Sequence, residues 1–331
     1  MQFNQWKRRE LITLIGGVTG WPLAARTQQA APPVVGFLST RSQQDTAHLV
    51  SAFQRGLSES GLVDGQNVAI DFHWADGQYD RLPMLAAELV RRSVKVIAAT
   101  GGEPASLAAK AATASIPIVF AVGGDPVRSG LVASYGQPGG NITGVSILTR
   151  TMEAKRVGLL REVVPGATTI GFLMNPAFPA VEAQLSDIRD AVRSHGVQLE
   201  VLRASTDEAI KSAFEIVDRQ RIPALLVGAD PFFDTRRAEL VALAAQQAVP
   251  VMFHLREYAE IGGLMSYGID LADVYRQVGS YTGRILKGAK PADLPVLQPT
   301  KFEFVINLKT AKALGIDISP NLHSLADVVI E

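Results

Sequence analysis

From Val34 onward, short apolar runs alternate with stretches in which apolar residues recur every three or four positions. "VVGFL" (34–38) is apolar throughout and bounded by turn residues, the pattern of a strand buried on both faces of a parallel sheet. From Asp45 to Ser60, Leu49, Ala52, Phe53 and Leu57 fall at helical spacing and Gly61 supplies a stop, which predicts a helix. "NVAIDFHW" alternates as a strand, Tyr79 to Arg92 reads as a second helix, and "KVIAAT" as the next strand. "GGEPASLAAKAA" opens a helix with Pro104 in its first turn, and "IPIVFAV" is again a strand.

The rhythm restarts after Thr149, with strands expected at 168–174, 197–203, 223–229 and 249–253 and helices between them. Strands alternating with helices of this length indicate βαβ units with right-handed crossovers. One sheet of so many strands is less favourable than two. The predicted fold class is therefore α/β, with two doubly wound parallel-sheet lobes. "GGLMSYGIDL" (262–271) reads as a further strand and turn before a long helix to about Lys287; a Pro-rich connector, a strand at Phe302–Asn307 and a short helix follow. This tail is expected to pass back to the first lobe and then again to the second, making a multi-strand hinge. The boundaries that follow are 34–145 plus 264–290 for the N-terminal lobe and 146–263 plus 297–331 for the C-terminal lobe.

One motif is written twice. "VGGDPV" (122–127) follows the apolar run "IPIVFA", and "VGADPF" (227–232) follows "IPALLV". The echo suggests equivalent strand ends in two similar halves, with an acid at the mouth of each. In open α/β sheets ligands bind beyond the carboxyl ends of the strands, where helix N-termini aim backbone N–H groups inward. The candidate ligand-binding residues there are Ser39, Thr40, Thr100, Gly101, Gly102, Gly124 and Asp125 in the first half. In the second half they are Asn175, Asp230 and Phe232, with Tyr267 on the returning segment. Asp125-Pro126 and Asp230-Pro231 also fit the simple role of helix N-caps followed by Pro, and one residue can do both.

Composition removes alternatives. The chain of 331 residues is 47% hydrophobic and 19% charged with a formal net charge of +0, so neither disorder nor a basic nucleic-acid surface is indicated. There is no Cys, which excludes disulfides, thiolate nucleophiles and Cys-based metal sites. No Gly-x-Ser-x-Gly, Walker, Gly-x-Gly-x-x-Gly or His-Glu-x-x-His motif occurs, and the five His are scattered. No catalytic residue, metal or cofactor is expected, and His73 and His254, near strand ends, read as ordinary partly buried residues. Residues 1–30 form a basic, then apolar, then small-residue leader, the layout of a signal peptide. Arg8-Arg9 before Glu10-Leu11-Ile12 resembles a twin-arginine signal.

"DPVRSGLVASYGQPGGNITGVS" (125–146), "LVGADPFFDTRRAELVALAAQQAVP" (226–250) and the segment 262–316 together resemble the ABC-transporter substrate-binding family that includes tryptophan/tyrosine-binding proteins. The resemblance spans nearly all of the chain after the leader. It implies a type 1 periplasmic-binding fold, a small-molecule solute held between two lobes, and delivery to an ABC permease and its ATPase at the inner membrane by a monomeric periplasmic protein. A sensor subunit docking on a signalling receptor, or a periplasmic enzyme using Asp125 and Asp230 as paired carboxylates, are the rival readings. For a zwitterionic amino acid, Asp125 or Asp230 would meet the ammonium, the 100–102 loop the carboxylate, and Tyr267 or Phe232 the side chain. The expected mature N-terminus lies between Ala25 and Pro32. N-terminal sequencing of periplasmic extract checks this, and an intact Met1 would refute it.

Overall fold

A computed structural model describes residues 31–147 and 152–331; the leader lies outside the described residues. The first lobe runs β1 (Val34–Ser39), α1 (Ala47–Ser58), β2 (Ala69–Trp74), α2 (Leu82–Arg91), β3 (Val96–Thr100), α3 (Glu103–Ala112), β4 (Ile118–Val122) and β5 (Ile142–Ser146). The second runs α4 (Glu153–Val163), β6 (Thr169–Met174), α5 (Val181–Ser194), β7 (Gln198–Arg203), α6 (Asp207–Gln220), β8 (Leu225–Val227), α7 (Pro231–Asp234), α8 (Arg237–Gln246), β9 (Val251–Phe253), α9 (Arg256–Glu260) and β10 (Met265–Ile269). The tail adds α10 (Leu271–Leu286), β11 (Phe302–Asn307), α11 (Leu308–Ala313), α12 (Pro320–Leu325) and β12 (Val328–Ile330).

The 5-stranded sheet has the order β2-β1-β3-β4-β5, and the 7-stranded sheet the order β12-β11-β10-β9-β8-β6-β7. All pairs of the first sheet are parallel. Set side by side, β6, β7, β8, β9 and β10 repeat the spatial order of β1 to β5. The lobes are topological copies, but the echo does not mark equivalent strand ends. "VGGDPV" leaves β4, the fourth strand of its lobe, whereas "VGADPF" leaves β8, the third of its lobe. The loop that corresponds to Asp230's is the one after β3, with Gly101 and Gly102, and the loop that corresponds to Asp125's is the one after β9, which begins with His254.

The lobes exchange their last helices. β5 leads into α4, which packs on α5 and β9 of the second lobe; β10 leads into α10, which packs on α1, β3, β4 and β5 of the first. The strand at Met265–Ile269 thus belongs to the second sheet, between β9 and β11, rather than to the first lobe as expected. Only α10 returns. Leu297 still pairs with the first lobe, donating to Gly144 O and accepting from Ser146 N at 2.9 Å each, so the chain re-enters the second lobe after that point. β11 arrives from this connector and therefore lies antiparallel to β10, so the second sheet is mixed rather than wholly parallel.

Burial follows the predicted periodicities. α1 buries Leu49, Ala52, Phe53, Gly56 and Leu57. α10, N-capped by Asp270, buries Val274, Tyr275, Val278 and Gly279 toward it. The two helices cross with their backbones nearly touching. A Cβ on Gly56 would stand 1.9 Å from Arg276 O, and one on Gly279 would stand 2.0 Å from Phe53 O. Backbone atoms cannot swing aside as a side-chain tip can. Gly279→Ala should therefore prise α10 from α1 and destabilise the fold by about 1–3 kcal/mol or more. Thermal unfolding checks this, with exposed Gly166→Ala, where a Cβ meets nothing within 4 Å and φ is not positive, as the comparison.

Candidate functional site

The carboxyl ends of both sheets face one cleft. Gly101, Gly102, Glu103, Gly123, Gly124 and Arg41 line it from the first lobe, with Ile147 at the hinge. Phe178, Asp230, Asp234, His254 and Leu255 line it from the second, with Leu271 and Tyr275 on α10. Its empty space, part of it open to solvent, is about 580 Å³.

Of the residues singled out in sequence, Gly101, Gly102, Gly124 and Asp230 line this cavity. Ser39, Thr40 and Thr100 are fully buried behind it, and their hydroxyls serve the protein itself. Thr40 Oγ1 donates to Gly101 O, Thr100 Oγ1 donates to Leu38 O at 3.4 Å, and Ser39 Oγ accepts from Arg41 N at 3.2 Å. They shape the strand ends. Gly101 needs its φ of +79°, and a Cβ there would stand 2.1 Å from Thr40 Oγ1, so the loop packs only with glycine.

Asp125 does not line this cavity. Its Oδ1 accepts from Val127 N at 2.8 Å and Arg128 N at 3.3 Å, with Tyr135 OH at 3.3 Å, so it caps its own turn. It borders a separate hollow with Arg128, Tyr135, Glu153, Asp187 and Asp190. Tyr267 stacks on Phe302 at 6.2 Å and packs in the second lobe's core, because β10 belongs to that sheet. Phe232 turns away beneath the Arg236 guanidinium, which lies 3.9 Å from its ring centroid. Neither aromatic is a wall of the cavity.

Asp230 combines both roles weighed for it. Its Oδ1 accepts from Phe232 N at 2.7 Å, capping α7, and from the Tyr79 hydroxyl. Its Oδ2 is buried and makes no hydrogen bond of normal geometry. Burial pushes its carboxyl up to about 7, against the hydrogen bonds from Tyr79, Phe232 N and the neighbouring Asn175. Asn175 also closes its own loop, accepting from Ala177 N at 2.9 Å.

Sequence reasoning missed the cluster one helical turn on. Asp234 Oδ2 pairs with Arg41 Nη2, and Tyr258 OH donates to Asp234 Oδ1 at 3.1 Å. His254 Nε2 lies 3.1 Å from the same oxygen. Burial alone would raise Asp234, but Arg41 first, and then His254 and Tyr258, hold it at about 2. Arg41 Nε and His254 Nδ1 are buried without a hydrogen-bond partner. The available signal was the i, i+4 spacing of Asp230 and Asp234, which places both acids on one face of a helix.

With this geometry in view, the comparisons decide the family. The model for "ABC transporter substrate binding protein" matches residues 34–330. The chain belongs to the ABC transporter substrate-binding family. A relative within reach of this family assignment is the tyrosine-binding protein of Clostridioides difficile (strain R20291), 27% identical over 267 residues, 80% of this chain and 75% of that protein. The solved ABC domain in complex with L-Trp from Streptococcus pneumonia superposes with a TM-score of 0.82 at 27% identity, covering 91% of this chain and 100% of that one. A conserved domain protein from Vibrio cholerae matches with a TM-score of 0.83 at 26% identity, covering 90% and 99%. The expected type 1 periplasmic-binding fold is therefore established. This substrate-binding protein has tyrosine- and tryptophan-binding relatives.

A raised carboxyl costs stability once it ionises. Asp230 in the fold holds its proton up to about 7, whereas its ordinary value is 3.8. Its stabilising contribution is complete below pH 4 and is lost as pH rises through 7. Asn keeps the cap and mimics the protonated acid. Asp230→Asn should thus melt near the wild-type temperature at pH 4 and several degrees above it at pH 8, as read by calorimetry at both values.

Proposed function

We propose that this protein is the periplasmic solute-binding component of an ABC importer and captures an aromatic α-amino acid as its zwitterion. One observation carries the ligand class. Asp230 and Arg41, buried side chains that line the same cavity and can carry opposite charges, each keep one atom, Oδ2 and Nε, with no hydrogen bond of normal geometry. A buried charge demands a partner, and an ammonium and a carboxylate on one small molecule supply both. Phe178, Ile147, Leu255 and Leu271 offer an apolar wall for a ring. Glu103, also buried and lining the cavity, opposes a carboxylate at the start of α3 and favours Arg41 for that role instead of the 100–102 loop.

The tyrosine-binding and L-Trp-bound relatives support the same class. The signal-like leader supports export, and the family supports handover to a permease and its ATPase by a monomer that performs no chemistry. A micromolar affinity requires only about 8 kcal/mol, within reach of two charge-assisted contacts and one buried ring.

Binding an ammonium requires Asp230 ionised. Asp234, held at about 2, and Arg41 keep their charges across the physiological range. Affinity for L-tyrosine or L-tryptophan should therefore level off above about pH 7, until the ligand's own ammonium deprotonates, and fall by up to tenfold per unit below it. Calorimetric titration at pH 8 and pH 6 reads this effect. In the same assay Asp230→Asn should bind ten- to a hundredfold more weakly at pH 8. Failure of all common amino acids to bind at pH 8 would overturn the ligand class.

A further inference from the structure

We propose that Tyr79 is a positioning residue that ties closure of the cleft to the orientation of Asp230. Tyr79 stands on the turn after β2 in the first lobe, and Asp230 on the loop after β8 in the second. The Tyr79 hydroxyl donates to Asp230 Oδ1 and accepts from Phe232 N at 3.3 Å. With Phe232 N also donating to that oxygen, Oδ1 takes both donors, and Oδ2, on the side chain that lines the cavity beside Asn175, is the oxygen left without a hydrogen bond of normal geometry. Tyr79 thus selects which carboxylate oxygen meets a ligand. It can do so only when the lobes are together.

The surrounding contacts act in the same direction. Gly77, two residues earlier, has a φ of +77°, and a Cβ there would stand 2.9 Å from Arg236 Nη1 and 3.0 Å from Thr235 Oγ1 of the other lobe. The positive φ favours glycine here, and its lack of a Cβ lets this loop lie against the Arg236 and Thr235 side chains at the end of α7 without displacing them. Along the same edge Arg41 pairs with Asp234, Asp45 with Arg237 at 2.9 Å and His48 with Glu257 at 3.3 Å, each pair joining one lobe to the other. Burial first, and then the Asp230 charge, push the Tyr79 hydroxyl well above its ordinary range, so it remains a donor. The groups facing Asp230 are Tyr79, Arg41 after β1, Glu103 at the start of α3, Asp234 on its own helix and His254 after β9, with the neutral Asn175 after β6.

The closure part stands without any ligand, while the part that concerns affinity rests on Asp230 as the amine partner proposed above. Tyr79→Phe keeps the ring and removes only the hydroxyl. Solution scattering of ligand-free protein should give a larger radius of gyration for Tyr79→Phe than for wild type. The pH dependence of melting should also change, because the lost hydrogen bond lowered the Asp230 carboxyl; the limb near pH 7 should move upward. A merely structural role would lower the melting temperature equally at all pH values. With L-tyrosine as probe, Tyr79→Phe should weaken binding about tenfold in the wild-type background and not further in Asp230→Asn. An unchanged radius together with an unmoved pH limb overturns the proposal, as does an equal affinity loss in both backgrounds. If wild type binds no L-tyrosine, the ligand reading fails, and scattering with the pH limb still decides the role of Tyr79.

Discussion

Asp230 and Asp234 sit one helical turn apart, both removed from water, and meet that constraint in opposite ways. Asp234 is compensated by Arg41, His254 and Tyr258, and stays ionised to about pH 2. Asp230 has only neutral donors around it, Tyr79, Phe232 N and the neighbouring Asn175, with one oxygen lacking a hydrogen bond of normal geometry, and its carboxyl rises to about 7. An ion pair with both members buried is costly to break, since either charge left alone bears its full desolvation cost. The first acid therefore anchors Arg41 across the cleft, and the second remains responsive. A site built only of satisfied pairs would hold its shape and bind little.

These residues converge because of the exchanged helices. Each lobe is a βαβ array in which ligand-facing loops emerge at the carboxyl ends of its strands. Since β5 runs into α4 and β10 into α10, neither lobe completes its helical layer without chain that has already passed through the other. The crossings at the ends of β5 and β10 lie beside the cavity, at Ile147 and Leu271. A rotation of one lobe on the other pivots about these strand ends, so the loops at the cleft travel together as rigid groups. The Gly56–Gly279 crossing fixes α10, and with it Tyr275, against the first lobe.

How much of this was readable in sequence differs by kind of feature. β1, β3, β4 and β6 are uninterrupted apolar runs between turn residues, and burial on both faces of a parallel sheet imposes that pattern locally. β5, "ITGVS", mixes Thr, Gly and Ser into five buried positions and lacks such a signature. The lobe to which Met265–Ile269 belongs depends on its pairing partners, and no local period encodes those. The same limit applies to the site. Strand-end glycines and Asp-Pro junctions stand out because backbone geometry demands those residue types. Whether Arg41 reaches into the cleft or Phe232 and Tyr267 turn away is decided by neighbours distant in sequence. The echo misled for a related reason: a strand followed by small residues and a cap is a general solution for leaving a parallel strand, and it recurs at inequivalent ones.

The contacts across the cleft are unequal in a way that burial decides. His48 has half its side chain exposed, and its contact with Glu257, an ion pair only when the imidazole is protonated, is open to water on the His48 side. Asp45 and Arg237 are intermediate, at 25% and 20% exposure. Arg41 and Asp234, at 7% and 4%, lie where little solvent competes. From rim to centre the pairs grow fewer in alternatives: an exposed charge exchanges its partner for water at little cost, whereas Arg41 cannot leave Asp234 without finding another anion. The outer pairs thus set register as the lobes approach, and the inner one determines whether they stay. A ligand carboxylate on Arg41 Nε would add to the Asp234 pair on Nη2 rather than displace it, because the two nitrogens are distinct donors of one planar group. Closure and ligand capture then reinforce each other through the same guanidinium.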